Sequence, residues 1–260
     1  MVNASHTSLE YLLPEAGKWL TLQNGLYAIP GPGYILVTAV IPLLTINSGI
    51  IGGGINYKRY FINRQVEKDY TTDFPADEMA DYLTSRFASY KPAASEWAAL
   101  MTAARVDDAC WLKITHRDCQ AHVIVTAGVN NACSAGVTPY CVPGKLAPGT
   151  INIMSFFSHA LTPGALVNAV QTVTEAKTQT LREFNITCPA TGAFASGTNT
   201  DATLIAAATD ALLHEYAGPG TLAGYILACG VRAALTRALK TYLARQAQGV
   251  YDEIPCEEIL

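Results

Sequence analysis

The stretch from Gly149 to Asp201 restricts the fold more than any other. It opens with an apolar strand, Thr150 to Ser158, turns at Thr162-Pro163-Gly164, and continues as a helix from about Pro163 to Phe184. A glycine-rich loop, Thr191 to Asp201, leads into a second apolar run, Ala202 to Ala208, that reads as another strand. Pro163 suits the first helical turn, where its missing N–H costs nothing, and Thr162 is the expected N-cap. Phe184-Asn185 ends the helix, with Pro189 beyond it.

The helix carries an anomaly. Leu166, Val170, Val173, Leu181 and Phe184 recur at helical spacing and define a core-facing stripe. Lys177 lies four residues after Val173 and four before Leu181, so it falls on that stripe, whereas Glu175 falls on the polar side. A lysine so placed snorkels, pairs with an acid or loses its charge. One reading is a snorkelling stem. The other is an ammonium facing the floor of a site, where it holds an anion or an oxyanion.

Half of the 260 residues are hydrophobic and 15% are charged, which supports a sizeable core and argues against disorder. The net charge of −4 and the lack of a basic block argue against a nucleic-acid partner. The first residues, Met-Val-Asn-Ala-Ser-His-Thr, lack the cationic start and apolar centre of a signal peptide. The most apolar early run, Tyr34 to Ile46, is broken by Pro42 and too short for a spanning helix, so no membrane association is expected. A soluble, cytoplasmic protein follows, in which the seven scattered cysteines are reduced and mostly buried.

Residues 1–20 read as a peripheral arm and 247–260 as a surface tail on a single domain, 1–260. Tyr34 to Ile46 is a strand or bent strand pair with Pro42 at a bulge or edge. The run Asn47 to Asn56 contains Gly52-Gly53-Gly54, which suggests a sharp bend or a close approach to a ligand. No Gly-Lys-Ser/Thr follows, so it is not a phosphate loop. Tyr57 to Val66 is a strand, and Ala76 to about Ser89 a helix. Trp97 to Ala104 is apolar but of undetermined type. Trp111–Ile114 and His122–Ala127 are strands joined by a polar turn at Arg117-Asp118. His116, Cys119 and His122 flank that turn. They lack a fourth ligand, and alternate strand residues face opposite ways, so no metal centre is expected there. Gly128 to Gly149 is a long polar connection in which Asn130 and Asn131 offer both donors and acceptors. A long helix runs from Thr221 to about Arg245. Apolar strands alternating with long amphipathic helices predict an α/β chain of the α+β type, a mixed sheet layered with helices.

Several of these motifs occur together in one known family. They are Ser48-Gly-Ile-Ile-Gly-Gly-Gly54, Phe61-Ile-Asn-Arg-Gln-Val66, Leu100-Met-Thr-Ala-Ala104, Thr126-Ala-Gly-Val-Asn-Asn-Ala132 with Ala135-Gly136, and Gly149-Thr-Ile-Asn-Ile153. Thr174-Glu-Ala-Lys177, Gly197-Thr-Asn-Thr-Asp-Ala202 and Tyr216-Ala-Gly218 complete the series. In this order the chain resembles the adenosylcobinamide amidohydrolase family of corrinoid salvage.

The resemblance implies hydrolysis of the amide joining aminopropanol to the corrin ring, giving adenosylcobyric acid. The corrinoid is the substrate partner, and no cofactor or metal is needed. Within matching motifs, Asp201, Lys177, Thr198 and Thr200 are the expected catalytic residues. Asp201 would be the base on a water or threonine hydroxyl, and Lys177 with loop N–H groups the oxyanion partner. Ser48, Gly53, Gly54, Asn131, Asn152 and Glu175 are the expected substrate-binding residues. One departure stands out. After Gly218 the family pattern carries a Lys-His-Thr-like segment, and here the run is Pro219-Gly-Thr-Leu-Ala-Gly224. That change keeps two alternatives open, a corrinoid-binding protein without catalysis and an amidase acting on another amide. A homo-oligomer is compatible with all three.

Overall fold

The structure, a computed structural model, describes residues 7–90, 92–140 and 150–249. In chain order its elements are β1 (Thr7–Leu12), β2 (Leu20–Gln23), β3 (Leu26–Gly31), β4 (Tyr34–Asn47), β5 (Gly54–Gln65), α1 (Pro75–Arg86), β6 (Trp97–Thr102), β7 (Cys110–His116), β8 (Cys119–Ala127) and β9 (Ala132–Cys133). There follow β10 (Ile151–Phe157), β11 (Ala160–Leu161), α2 (Pro163–Glu183), β12 (Gly197–Thr198), β13 (Ala202–Ala207), β14 (Leu213–His214) and α3 (Leu222–Ala247).

The unit β10-α2-β13 is the centre of the fold. β10 and β13 pair in parallel, with Asn152 opposite Ala202 and Phe157 opposite Ala207. A parallel pair needs a crossover, which α2 supplies. Thr162 caps α2 by accepting from the Ala165 N–H at 3.0 Å, with Pro163 in the first turn. All seven residues of β10 are buried, which is why it reads as an unbroken apolar run.

Around this unit lies a mixed sheet in the order β1-β7-β8-β10-β13-β4-β3-β2, with β5 on β4 and β6 on β5. β4 is bent. It pairs with β3 through its first half and with β13 through its second. Its register with β5 shifts between Thr38 and Leu43, the interval that holds Pro42. Proline cannot donate to a ladder, so the break falls there. The segment Trp97–Thr102, undetermined from its sequence, is a strand parallel to β5.

The sheet curls, so that β5 and β6 face β8 and β10 across its inside. Asn63 Nδ2 donates to Thr126 Oγ1 at 3.0 Å, and Asn152 Nδ2 to Asn63 Oδ1 at 2.8 Å. Phe61, Ile124, Met154, Phe156 and Leu204 fill the space around these polar links. On the other face, α2 and α3 cover Leu112, Val123, Ile151, Ile153 and Ile205. A third cluster, Leu36, Ile62, Met79, Leu83 and Trp97, lies beneath α1. The chain is a single α+β domain with a curled mixed sheet, as its alternating pattern predicts. By length and composition α3 is apolar enough to cross a membrane, and here its apolar side lies on β7, β8 and α2.

The expected peripheral arm contributes an edge strand. β1 pairs antiparallel with β7 from Thr7↔His116 to Leu12↔Trp111. Residues 1–6, and the tail from 250 onward, lie outside the described residues.

Candidate functional site

Lys177 projects from the buried stripe of α2, between Val173 and Leu181, and is 9% exposed. It does not snorkel. Its Nζ donates to Asp201 Oδ2 at 2.5 Å. Asp201 stands just before β13 and accepts three further bonds. They come from the Ile151 N–H at 2.9 Å, the Thr198 N–H at 3.0 Å and the Thr198 hydroxyl at 2.5 Å. A carboxylate has about four lone-pair sites, so these donors fill it. Thr198 Oγ1 is thus a hydroxyl held directly on the carboxylate.

Gly197 permits this arrangement, although the sequence reading did not single it out. A Cβ there would stand 2.4 Å from Asp201 Oδ2 and 2.8 Å from Lys177 Nζ. Its signal in the sequence was its position at the head of Gly197-Thr-Asn-Thr-Asp201. β12 carries Gly197 and Thr198 and pairs with β9, with Thr198 opposite Ala132. Asn131 is therefore adjacent to the Thr198 pairing position. Asn131 is 6% exposed, and neither its Oδ1 nor its Nδ2 has a hydrogen-bond partner among the described residues.

A cleft of about 880 Å³ opens beside this cluster, lined by Ser48, Tyr70, Thr102, Thr150, Thr200 and Asp201 among others. Thr150 and Thr200 join hydroxyls at 2.7 Å. Ser48 clasps β13: its N–H donates to Thr203 O at 3.0 Å and its Oγ accepts from the Thr203 N–H at 2.9 Å. Asn47 shapes the loop behind it, accepting from the Gly49 N–H at 2.8 Å and donating to Ile51 O at 2.8 Å. Burial, then the hydrogen bond to Glu78 and its charge, push the Tyr70 phenol up to about 12, so this wall of the cleft stays protonated.

Of the expected catalytic residues, Asp201, Lys177, Thr198 and Thr200 gather here. The expected substrate-binding residues divide. Ser48 lines the cleft, and Asn131 lies beside β12. Gly54, at φ +83°, makes a turn that L side chains rarely adopt, whereas a Cβ added at Gly53 would meet Asn47 O only at ordinary contact distance, so Gly54 is the one that shapes the loop. Asn152 is not on the cleft lining. It is fully buried on the inside of the curled sheet, and its Nδ2 is occupied by Asn63 and by Met101 O at 2.8 Å. Glu175 is not on the cleft lining either. It is exposed on α2. Two residues are about 200° of helical rotation, which carries Glu175 away from the Lys177 side.

His116, Cys119 and His122 do not converge. His116 bonds Thr7 Oγ1 at 2.8 Å, and Cys119 joins the core beneath the helices. His122, an odd number of positions further along β8, faces the other side. The departure after Gly218 forms a helix start. Thr221 Oγ1 donates to Gly218 O at 2.9 Å and accepts from the Gly224 N–H at 3.1 Å. Ala217 O accepts from Thr172 on α2 at 2.8 Å.

Fold and site together define an α+β protein with a lysine–carboxylate–hydroxyl unit beside a broad cleft. Residues 27–247 match the adenosylcobinamide amidohydrolase family, and the chain belongs to it. It is thus a member of a hydrolase family of cobinamide chemistry. The uncharacterized protein MJ1613 of Methanocaldococcus jannaschii is 34% identical over 103 residues, which are 38% of this chain and 40% of that protein. The match thus spans less than half of that relative. The crystal structure of the PH0078 protein from Pyrococcus horikoshii OT3 aligns over 90% of this chain and 84% of its own, with a TM-score of 0.46 and 9% identity.

Proposed function

We propose that the chain hydrolyses the amide between aminopropanol and the corrin ring of adenosylcobinamide, releasing adenosylcobyric acid. The observation that supports this reading is the Lys177–Asp201–Thr198 cluster beside the cleft. Thr198 Oγ1 attacks the amide carbonyl, and its proton moves to Asp201 Oδ1 along the existing hydrogen bond. Lys177 stays bound to Oδ2 and offsets the negative charge that develops on the tetrahedral oxygen. Collapse expels aminopropanol, which takes the proton from Asp201. A water then opens the threonyl ester, giving its proton to the same carboxylate and regenerating Thr198. Asn131 binds the substrate amide through its unfilled donor and acceptor. The chemistry draws only on residues of this chain.

A cleft of about 880 Å³ is near the upper end of the ~300–1,000 Å³ usual for ligand pockets, as suits a broad ligand. The test is incubation with adenosylcobinamide while free aminopropanol and the corrinoid product are followed. Thr198→Ala should lose turnover and Thr198→Ser should retain part of it. Full turnover by Thr198→Ala would exclude Thr198 as nucleophile. Binding of the corrinoid by the wild type without release of aminopropanol would favour a non-catalytic binding protein.

A further inference from the structure

We infer that Cys119, His159 and His214 form a binding site for a divalent transition-metal ion, zinc by the chemistry of its donors. The site staples together the end of the sheet remote from Asp201. Each residue offers one ligand atom, and the three atoms lie within 4.8 Å of one another. Two neutral imidazoles and a thiolate are a donor set that zinc takes readily. Tetrahedral zinc, with bonds of about 2.0–2.3 Å, holds its ligand atoms roughly 3.3–3.8 Å apart. Closing from a spread of at most 4.8 Å to that range takes about 1 Å of movement of the ligand atoms.

The backbone already holds the three in place. Cys119 opens β8, beside a double link in which the Ser158 N–H donates to Gln120 O at 2.9 Å and the Gln120 N–H to Ser158 Oγ at 2.8 Å. His159 follows Ser158 directly. His214 is delivered by the parallel β11–β14 ladder, with Leu161 opposite His214 and the Thr162 N–H donating to His214 O at 3.1 Å. The rings lie nearly parallel, at 15°, with His159 Nδ1 and His214 Nε2 3.0 Å apart. Phe157 sets its edge against both. Cys119 is fully buried and His159 is 7% exposed, while His214 is the more open ligand. The thiol is in no disulfide.

This site is distinct from the cleft. β10 separates the two, and its six steps at about 3.3 Å each put them roughly 20 Å apart. The ion therefore joins β8, the turn after β10 and β14 as a clamp, and takes no part in amide hydrolysis.

The test uses the untagged full chain, stripped with a chelator and held with a reductant, with no corrinoid present. Zinc is titrated in competition with a chromophoric chelator, and Co(II) is added separately as a spectroscopic probe. The expected result is one equivalent per chain, proton release on binding, tetrahedral Co(II) absorption with a thiolate charge-transfer band, and a melting temperature raised by zinc. Cys119→Ser should abolish the charge-transfer band. His214→Gln changes the more open ligand and should weaken zinc binding by about tenfold or more. Absence of stoichiometric zinc binding by the wild type would overturn the inference. So would binding unchanged in both variants, each shown to be folded by circular dichroism.

Discussion

Gly197→Ala tests the geometry of the Lys177–Asp201 pair without altering either charge. The added methyl would stand 2.4 Å from Asp201 Oδ2, so the oxygen must retreat by close to 1 Å to reach ordinary contact. Asp201 Oδ2 accepts from Lys177 Nζ at 2.5 Å and from the Thr198 N–H at 3.0 Å, and such a shift strains both bonds. Hydrogen bonds to charged groups contribute about 1.5–3 kcal/mol each. Their joint loss gives about 3–6 kcal/mol, which covers the ~3–5 kcal/mol cost of breaking a buried ion pair. The carboxylate also carries the Thr198 hydroxyl, and a misplacement of about 1 Å near reacting atoms costs roughly 10²-fold in rate. The assay pairs urea denaturation with aminopropanol release. Gly218→Ala is the control, because a Cβ there meets nothing within 4 Å. If Gly197→Ala unfolds at the wild-type midpoint and turns over at the wild-type rate, the carboxylate is not held as described and the argument fails.

Three further outcomes are expected. Lys177→Met should lose about 10²-fold or more in turnover. It should also lower the urea midpoint, because it strands Asp201, which a merely snorkelling lysine would not do. Asn131→Ala should raise KM while leaving the melting temperature unchanged or higher, since its amide has no hydrogen bond to lose among the described residues; a fall of several degrees would contradict this. Burial, then the charge of Lys113, push His122 from 6.5 down to about 4. The unfolded chain therefore binds a proton that the folded one refuses between these values. Stability is complete above about pH 6.5 and falls toward pH 4, by about 3 kcal/mol over the window. His122→Leu should flatten that decline in denaturation midpoints measured at pH 7 and pH 4.5, and an equal decline in both proteins would refute the assignment.

The centre of this fold was legible because its signals are local. β10 is buried on both faces and reads as a continuous apolar run, α2 shows its cap and its stripe, and the lysine on that stripe stands out against a period of 3.6 residues. The partner was legible too, since a glycine-rich loop ending in an aspartate enters the next strand. Other features depend on three-dimensional information. Asn152 lies in β10 between two residues that face the helices, and only the curl of the sheet places Asn63 opposite it. Six residues of β6 are too few for a period to separate strand from helix. Cys119 invited grouping with its chain neighbours His116 and His122, whereas the ladders bring it to His159 and His214 instead.

The clasp between Ser48 and Thr203 has a bearing on how the protein is made. β4 leaves the ribosome more than 150 residues before β13, its partner along Asn47↔Leu204 to Leu44↔Ala207. During that interval the second half of β4 presents an open strand edge, the kind of surface on which nascent chains misassociate. Pairings so distant in sequence close slowly. The cleft wall formed by Ser48, Thr150 and Asp201 comes together only when that last pairing closes. A prematurely terminated chain that ends before Asp201 therefore carries the glycine loop and the lysine but no carboxylate. It is a candidate for chaperone capture or proteolysis.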